Sequence, residues 1–245
     1  MNSHTKSLKL YLYLFLVALA STVTLRTVAL LYFFEAESYY FSSGTLISVA
    51  NALTVALSLL CASYLFTGST VRLRASFTSP ATYVPTGLTA TSLVFMLRRL
   101  VVPTDPRVDL LSLLAALLAM VSVVHFFLNA FLTEERTRLR AGFAIGTVMF
   151  LSLYSAIIYF NTALPYNAPA KLVDEMAYLF SALFFLYEAR ISLGRSKWRG
   201  YIAFGLVAGI LTAYSSIPSL ILYFVDGVTP SLSVEESVLT LSLFM

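Results

Sequence analysis

Charge is what this sequence has least of. Only 11% of its 245 residues are Asp, Glu, Lys or Arg, while 59% are hydrophobic and the mean hydropathy is +0.84. An ordinary soluble domain carries about 25% charged residues, and a chain so poor in them cannot clothe a water-facing surface around this much apolar side chain. Cysteine is as scarce. Cys61 stands alone, so an intrachain disulfide is excluded, and its place inside an apolar block marks it as a small packing residue. His4 and His125 are the only histidines, and with one thiol they make a poor ligand set for zinc or copper. The phosphate-binding G-x-x-x-x-G-K-[ST], H-E-x-x-H and G-x-S-x-G patterns are missing. No apolar block pairs two central aspartates, and no internal repeat suggests an inverted-repeat transporter. The expectation is a protein without catalytic, cofactor or metal site, and not an enzyme.

What is present is apolar sequence in long blocks. About 20 apolar residues at about 1.5 Å each cover the hydrocarbon core of a bilayer, about 30 Å thick. Seven blocks fit: 8–34, 45–66, 81–102, 108–131, 141–160, 172–193 and 201–224. The third is the weakest, with Pro85 near one end and Arg98 and Arg99 near the other. The fifth is clean, and in the sixth only Met176 to Tyr187 is free of charge. Loops are short, so residues 1–245 read as one all-α transmembrane helical domain. The first block resembles a signal peptide in its basic start, Lys6 and Lys9, and in Ala18-Leu19-Ala20. Its apolar character runs on to Phe34, broken only by Arg26, and this favours an uncleaved helix.

Basic residues orient the chain. With the N-terminus inside, Lys6, Lys9, Arg72, Arg74, Arg136, Arg138, Arg140, Arg190, Arg195, Lys197 and Arg199 fall in inner segments, eleven of the sixteen Lys and Arg. Arg98, Arg99, Arg107 and Lys171 fall in outer ones, and Arg26 lies within a block. The net charge of +4 therefore belongs to helix ends, and nucleic acid is not an expected partner. The expected partners are the lipid bilayer and a cytoplasmic or membrane protein docking on the basic inner loops. Tyr32, Phe33, Phe34, Tyr39, Tyr40 and Phe41 mark one membrane boundary, and Trp198 and Tyr201 another. Near the C-terminus, Ser231 or Ser233 is placed to cap a new helix with Glu235 and Glu236 in its first turn. The apolar run Val238 to Met245 is too short to span. It is expected to open an eighth helix in a longer chain, with a short interfacial segment as the alternative.

Ionisable residues inside a membrane are default candidates for function. Arg26 lies seventeen residues past Lys9, about 25 Å along a helix and in the outer third of the membrane. The bland alternative is a stem that snorkels to the headgroups near Glu35 and Glu37. Arg98 and Arg99, with Asp174 and Glu175, fall at the same outer level, close to a helix kink at Pro218. That proline frees the carbonyl of Tyr214, and Ser215 and Ser216 are placed to help satisfy it. These residues outline either an outward-facing vestibule or a set of ordinary interfacial charges. At the inner level, Glu188 is expected to pair with Arg190 or an inner-loop arginine. His125 and Asn129 share a helix face at i and i+4, where a buried, bonded histidine is the plain reading. Asn51 reads as an interhelical link, and Gly142–Gly146 and Gly205–Gly209 as close approaches within the chain.

The stretch Tyr178-Leu179-Phe180-Ser181-Ala182-Leu183-Phe184-Phe185-Leu186-Tyr187-Glu188-Ala189-Arg190, with Gly194-Arg195 and Ser215-Ser216-Ile217-Pro218, resembles the later part of uncharacterised multi-pass membrane proteins of clostridia-type bacteria. The likeness covers roughly the last third of the chain. It implies a bacterial plasma membrane and further spans beyond Met245, and it implies no activity. Two functional readings follow from the residues. A membrane-embedded sensing or interaction subunit fits the basic inner loops and the missing catalytic signatures. A small-solute transporter, or the membrane subunit of a transport system, fits the charged outer layer and the Pro218 break.

Overall fold

The computed structural model describes residues 3–67, 80–101, 109–131, 137–161, 165, 168–195, 198–230 and 233–244. These are almost wholly helical: α1 (Ser3–Phe33), α2 (Gly44–Ala62), α3 (Tyr64–Thr67), α4 (Pro80–Val101), α5 (Asp109–Phe131), α6 (Thr137–Phe160), α7 (Pro169–Ser192), α8 (Trp198–Asp226) and α9 (Val234–Phe244). In hydrocarbon every backbone N–H and C=O must be bonded internally, and an uninterrupted helix does this within one segment. Among the described residues, five stretches are long and apolar enough to cross a membrane: Leu8–Phe33, Gly44–Thr67, Leu110–Asn129, Arg138–Phe160 and Trp198–Asp226. Two further expected blocks also form long helices. In α4 the apolar part is confined to Thr86–Leu97, and α7 carries Lys171, Asp174, Glu175, Glu188 and Arg190.

α1 turns into α2 through a small antiparallel hairpin, β1 (Phe34–Glu35) against β2 (Tyr40–Phe41), closed by Tyr39 at φ 59°. Aromatic clustering flagged this corner as a membrane boundary, and its strand pairing had no signal beyond it. α4, α5, α6, α7, α8 and α9 each pack on the next, and α9 returns to α4, which closes a ring. Leu93, Met96, Phe150, Tyr154, Tyr178 and Leu239 fill its centre. α1 and α2 stand outside the ring, against each other and against α8. α8 is therefore a wall with helices on both sides. Leucines such as Leu59, Leu110 and Leu172 point outward with half or more of their surface exposed, as a protein in an apolar solvent allows.

Close approaches follow part of the glycine pattern. A Cβ on Gly146 would overlap Val121, which fixes α6 against α5, whereas Gly142 faces open space. Gly205 lies against Phe184, whose ring carbon would be 3.1 Å from an added Cβ. Gly200, outside both motifs, packs directly on Tyr187.

α9 opens with a capping box. The Ser233 backbone N–H donates to Glu236 Oε2 at 2.6 Å, and the Glu236 N–H donates to Ser233 Oγ at 3.4 Å. Glu236, Ser237, Leu239, Thr240 and Ser242 are buried, so α9 enters the bundle and does not lie along its surface as an interfacial segment would. At Pro218 the expectation needs correction in one respect. α8 runs through the proline to Asp226, but Ser216 Oγ donates to the Thr212 carbonyl at 2.6 Å and Ser215 Oγ donates to Asp174. Neither hydroxyl serves the Tyr214 carbonyl, because each has a partner of its own.

Candidate functional site: the buried face of α7

Lys171, Asp174, Tyr178, Ser181, Phe185 and Glu188 recur at alternating spacings of three and four, which places them on one face of α7. All six are buried. The run covers about 25 Å at about 1.5 Å per residue, and five of its six members are ionisable or carry a hydroxyl.

At one end Lys171 Nζ donates to the carbonyls of Tyr159 and Asn161 at 2.7 and 3.1 Å. These are among the last acceptors of α6, where the helix dipole favours a cation. One turn further, the Asp174 carboxylate accepts from Ser215 of α8. Glu175 is half-buried beside it, and its backbone carbonyl accepts from Ser155 at 3.3 Å. In the middle, Thr240 Oγ1 donates to the Tyr178 hydroxyl at 3.1 Å, and the Tyr178 ring meets that of Tyr154 edge-on at 5.2 Å. Tyr154 donates in turn to the carboxylate of Glu236. The α9 capping glutamate thus faces the ring interior, between α6 and α7.

Beyond Ser181 the character changes. Phe185 packs edge-on against Phe126 at 5.5 Å and against His125 at 5.8 Å, forming an aromatic cluster. Past it lies Glu188, whose Oε1 accepts from Asn129 Nδ2 at 3.1 Å. Arg140 Nε donates to Asn129 Oδ1 at 2.9 Å. The Asn129 amide is thereby oriented, with its oxygen toward the guanidinium and its nitrogen toward the carboxylate. Asn129 Nδ2 also lies 3.1 Å from His125 Nε2, and the donor and acceptor roles in this contact follow the tautomer of the ring. Nδ1 has no hydrogen-bond partner among the described residues. Glu188 Oε2 also lies 3.7 Å from His125 Nε2, so protonation of the ring would convert this contact into an ion pair. Of the two partners expected for Glu188, the inner-loop arginine, Arg140, is linked to it through Asn129. Arg190 instead sits 5.4 Å from the Tyr187 ring centroid.

Arg26 lies on the other side of α8. It is 1% exposed, so its guanidinium is inside the protein and does not snorkel to the headgroups. Its Cζ stands 4.5 Å from the Tyr214 ring centroid. Nε and Nη1 have no hydrogen-bond partner, and no ion pair engages the side chain, among the described residues. Cation–π attraction of about 2 kcal/mol at a desolvated site offsets much of the cost of a charge inside a span, which reaches about 2.5–3.5 kcal/mol at the helix centre. Tyr214 also donates to Asn51 Oδ1 at 2.6 Å, which gives Asn51 its interhelical role between α2 and α8.

The outer layer drawn from the sequence is thus divided by α8. Tyr214 turns to Arg26, while its neighbour Ser215 turns to Asp174. The backbone of Arg98 and Arg99 belongs to α4, and their side chains lie outside the described part of the structure. Among the described residues no group of three or more His, Cys, Asp or Glu is arranged to hold a metal. Sequence reasoning passed over Lys171, Tyr178, Tyr154 and Arg140 as site members and read Glu236 only as a helix-dipole residue. The three-four spacing along α7 was the available signal for Lys171 and Tyr178. No family model, no curated protein and no solved structure matches the chain.

Proposed function

We propose that the chain is a multi-pass protein of a bacterial plasma membrane, with α4 and α7 as additional spans and the N-terminus in the cytoplasm. In this reading it transports a small solute, or forms the membrane subunit of a transport system, with protons moving along the buried face of α7. The observation that carries the reading is that face. Lys171, Asp174, Tyr178 and Glu188 are all buried on one side of one helix. Ionisable groups inside membrane bundles are costly to keep and mark ion pathways and proton relays. The Phe126–Phe185 contact separates the outer groups from Glu188 and His125, and an apolar contact of this kind closes a path until a rearrangement wets it. The eleven-to-four bias of basic residues supports the orientation.

Proton flux is the direct probe. Purified protein in phosphatidylethanolamine–phosphatidylglycerol vesicles loaded with a pH-sensitive dye is expected to acidify the lumen, under an imposed potassium diffusion potential, faster than empty vesicles do. Glu188→Gln and Asp174→Asn are each expected to return the rate to that of empty vesicles, while Arg195→Gln, an exposed position, leaves it unchanged. A wild-type rate equal to that of empty vesicles sinks the reading.

The sensing or interaction subunit has one specific observation in its favour. Arg138, Ile191, Ser192, Leu193 and Gly194 line an open cleft of about 280 Å³ at the basic end of α6 and α7. Native mass spectrometry that retained a cytoplasmic protein on the gently extracted chain would favour this second reading.

A further inference from the structure

A second surface of α8 faces away from the ring. Between α2 and α7, with α8 as its floor, runs a groove of about 330 Å³. Val55, Leu172 and Met176 make apolar walls, and Asn51, Thr54 and Tyr214 make a polar floor. Val55 is 58% exposed and Leu172 56%, so the groove opens sideways, toward hydrocarbon. Directly behind Tyr214 is the Arg26 guanidinium, buried, with two nitrogens lacking acceptors among the described residues. Arg26 and Asn51 each lie seven residues from a helix end, Phe33 and Gly44. That is about 10 Å, within reach of a headgroup and away from the bilayer centre.

We propose that this groove binds one anionic glycerophospholipid taken laterally from the membrane. The acyl chain lies along Val55, Leu172 and Met176. The phosphate accepts hydrogen bonds from Arg26, reached when the Tyr214 ring turns aside, and the Asn51 amide freed by that turn offers a further donor. A zwitterionic lipid would fill the walls but brings its own cation beside the phosphate, so the charge of Arg26 would stay unbalanced. A free phosphate would satisfy Arg26 and leave the walls empty. Only a molecule with both parts uses the whole site. The proposal does not rest on proton transfer along the buried face of α7, since the groove uses other residues of that helix, Leu172 and Met176.

The test is native mass spectrometry of the full chain, extracted in detergent with equal amounts of dioleoylphosphatidylglycerol and dioleoylphosphatidylcholine. The wild type is expected to retain one phosphatidylglycerol in preference to phosphatidylcholine. Arg26→Gln is expected to lose that preference, and Arg26→Lys to keep part of it. Val55→Trp, at an exposed position that fills the groove and leaves Arg26 in place, is expected to lose retention of the lipid itself. Thermal melting of each variant shows that it is folded. Wild type without a headgroup preference, or a preference surviving in either Arg26→Gln or Val55→Trp, overturns the proposal. Displacement of the lipid by equimolar soluble glycerol 3-phosphate would assign a headgroup-only site and overturn it as well.

Discussion

Two arginines are buried in this bundle in opposite ways. Arg140, 5% exposed, opens α6 and is joined to Glu188 through the Asn129 amide, so cation, amide and anion form one hydrogen-bonded chain. Arg26, 1% exposed, lies well inside α1 and is met by the face of Tyr214. The first charge is neutralised in place by groups from α5 and α7. The second is held by the Tyr214 side chain, and its Nε and Nη1 donors have no acceptor among the described residues. A network couples its members, so removing one exposes another. A cation on an aromatic face is coupled to little and keeps donors free for something else.

The largest effect should come from breaking the network. Glu188→Leu leaves Arg140 buried without its anion, and losing one member of a buried pair typically costs about 3–5 kcal/mol. Arg140→Leu should cost a similar amount, for the mirror reason. The double variant should cost less than the sum, with a coupling energy of about 0.5–3 kcal/mol. Denaturant or thermal unfolding in detergent, run on the singles and the double, measures this. Strict additivity would mean that Asn129 does not transmit the interaction, and the contrast with Arg26 would fail.

That network depends on α5 and α6 lying close enough for Arg140 to reach Asn129. Gly146 permits the approach, since Val121 occupies the space where its Cβ would stand. Gly146→Ala should cost about 1–3 kcal/mol through overpacking, with much of the loss recovered by adding Val121→Ala. The same unfolding assay reads both. A neutral Gly146→Ala would show that the helices separate freely and that the network tolerates looser packing. Gly142→Ala, facing open space, serves as the matched control.

The all-α class was legible because long apolar runs permit little else, and each expected block became a helix. The ring was not legible. Sequence places helices in order but does not say that α9 returns to α4, and the short run from Val238 to Met245 gave no hint that Leu239 joins the same core as Phe150. Among site residues, His125, Asn129 and Glu188 were visible as rare polar groups in apolar surroundings. Arg140 was counted as a loop charge, because a residue at the start of a helix carries no mark of facing inward. Arg26 and Asp174 fall at one level along their helices, yet they do not meet. Level follows from counting along a helix, but azimuth requires knowing which neighbour each face meets, and α8 stands between the two. Tyr154 and Tyr178 were hidden by chemistry: tyrosine is common at membrane boundaries, and only packing showed these two to be central.

The smallest effect is expected at Arg26, and it sharpens the comparison most. Arg26→Leu loses a cation–π contact of about 2 kcal/mol and is relieved of a burial cost whose helix-centre limit is about 2.5–3.5 kcal/mol. The two nearly cancel, so stability in detergent should change by about 1 kcal/mol or less, with a slight gain the more natural sign. Asp174→Asn should lose stability on its own, since it weakens the buried bond from Ser215. Because Arg26 meets Tyr214 and Asp174 meets Ser215 on different sides of α8, the double variant should be additive within about 0.3–0.5 kcal/mol. A loss at Arg26→Leu as large as that at Glu188→Leu, or a coupling to Asp174 well above that margin, would show that Arg26 is paired with an anion in the folded chain. The two arginines would then obey one rule, and the free donors that define the groove behind Tyr214 would be spoken for.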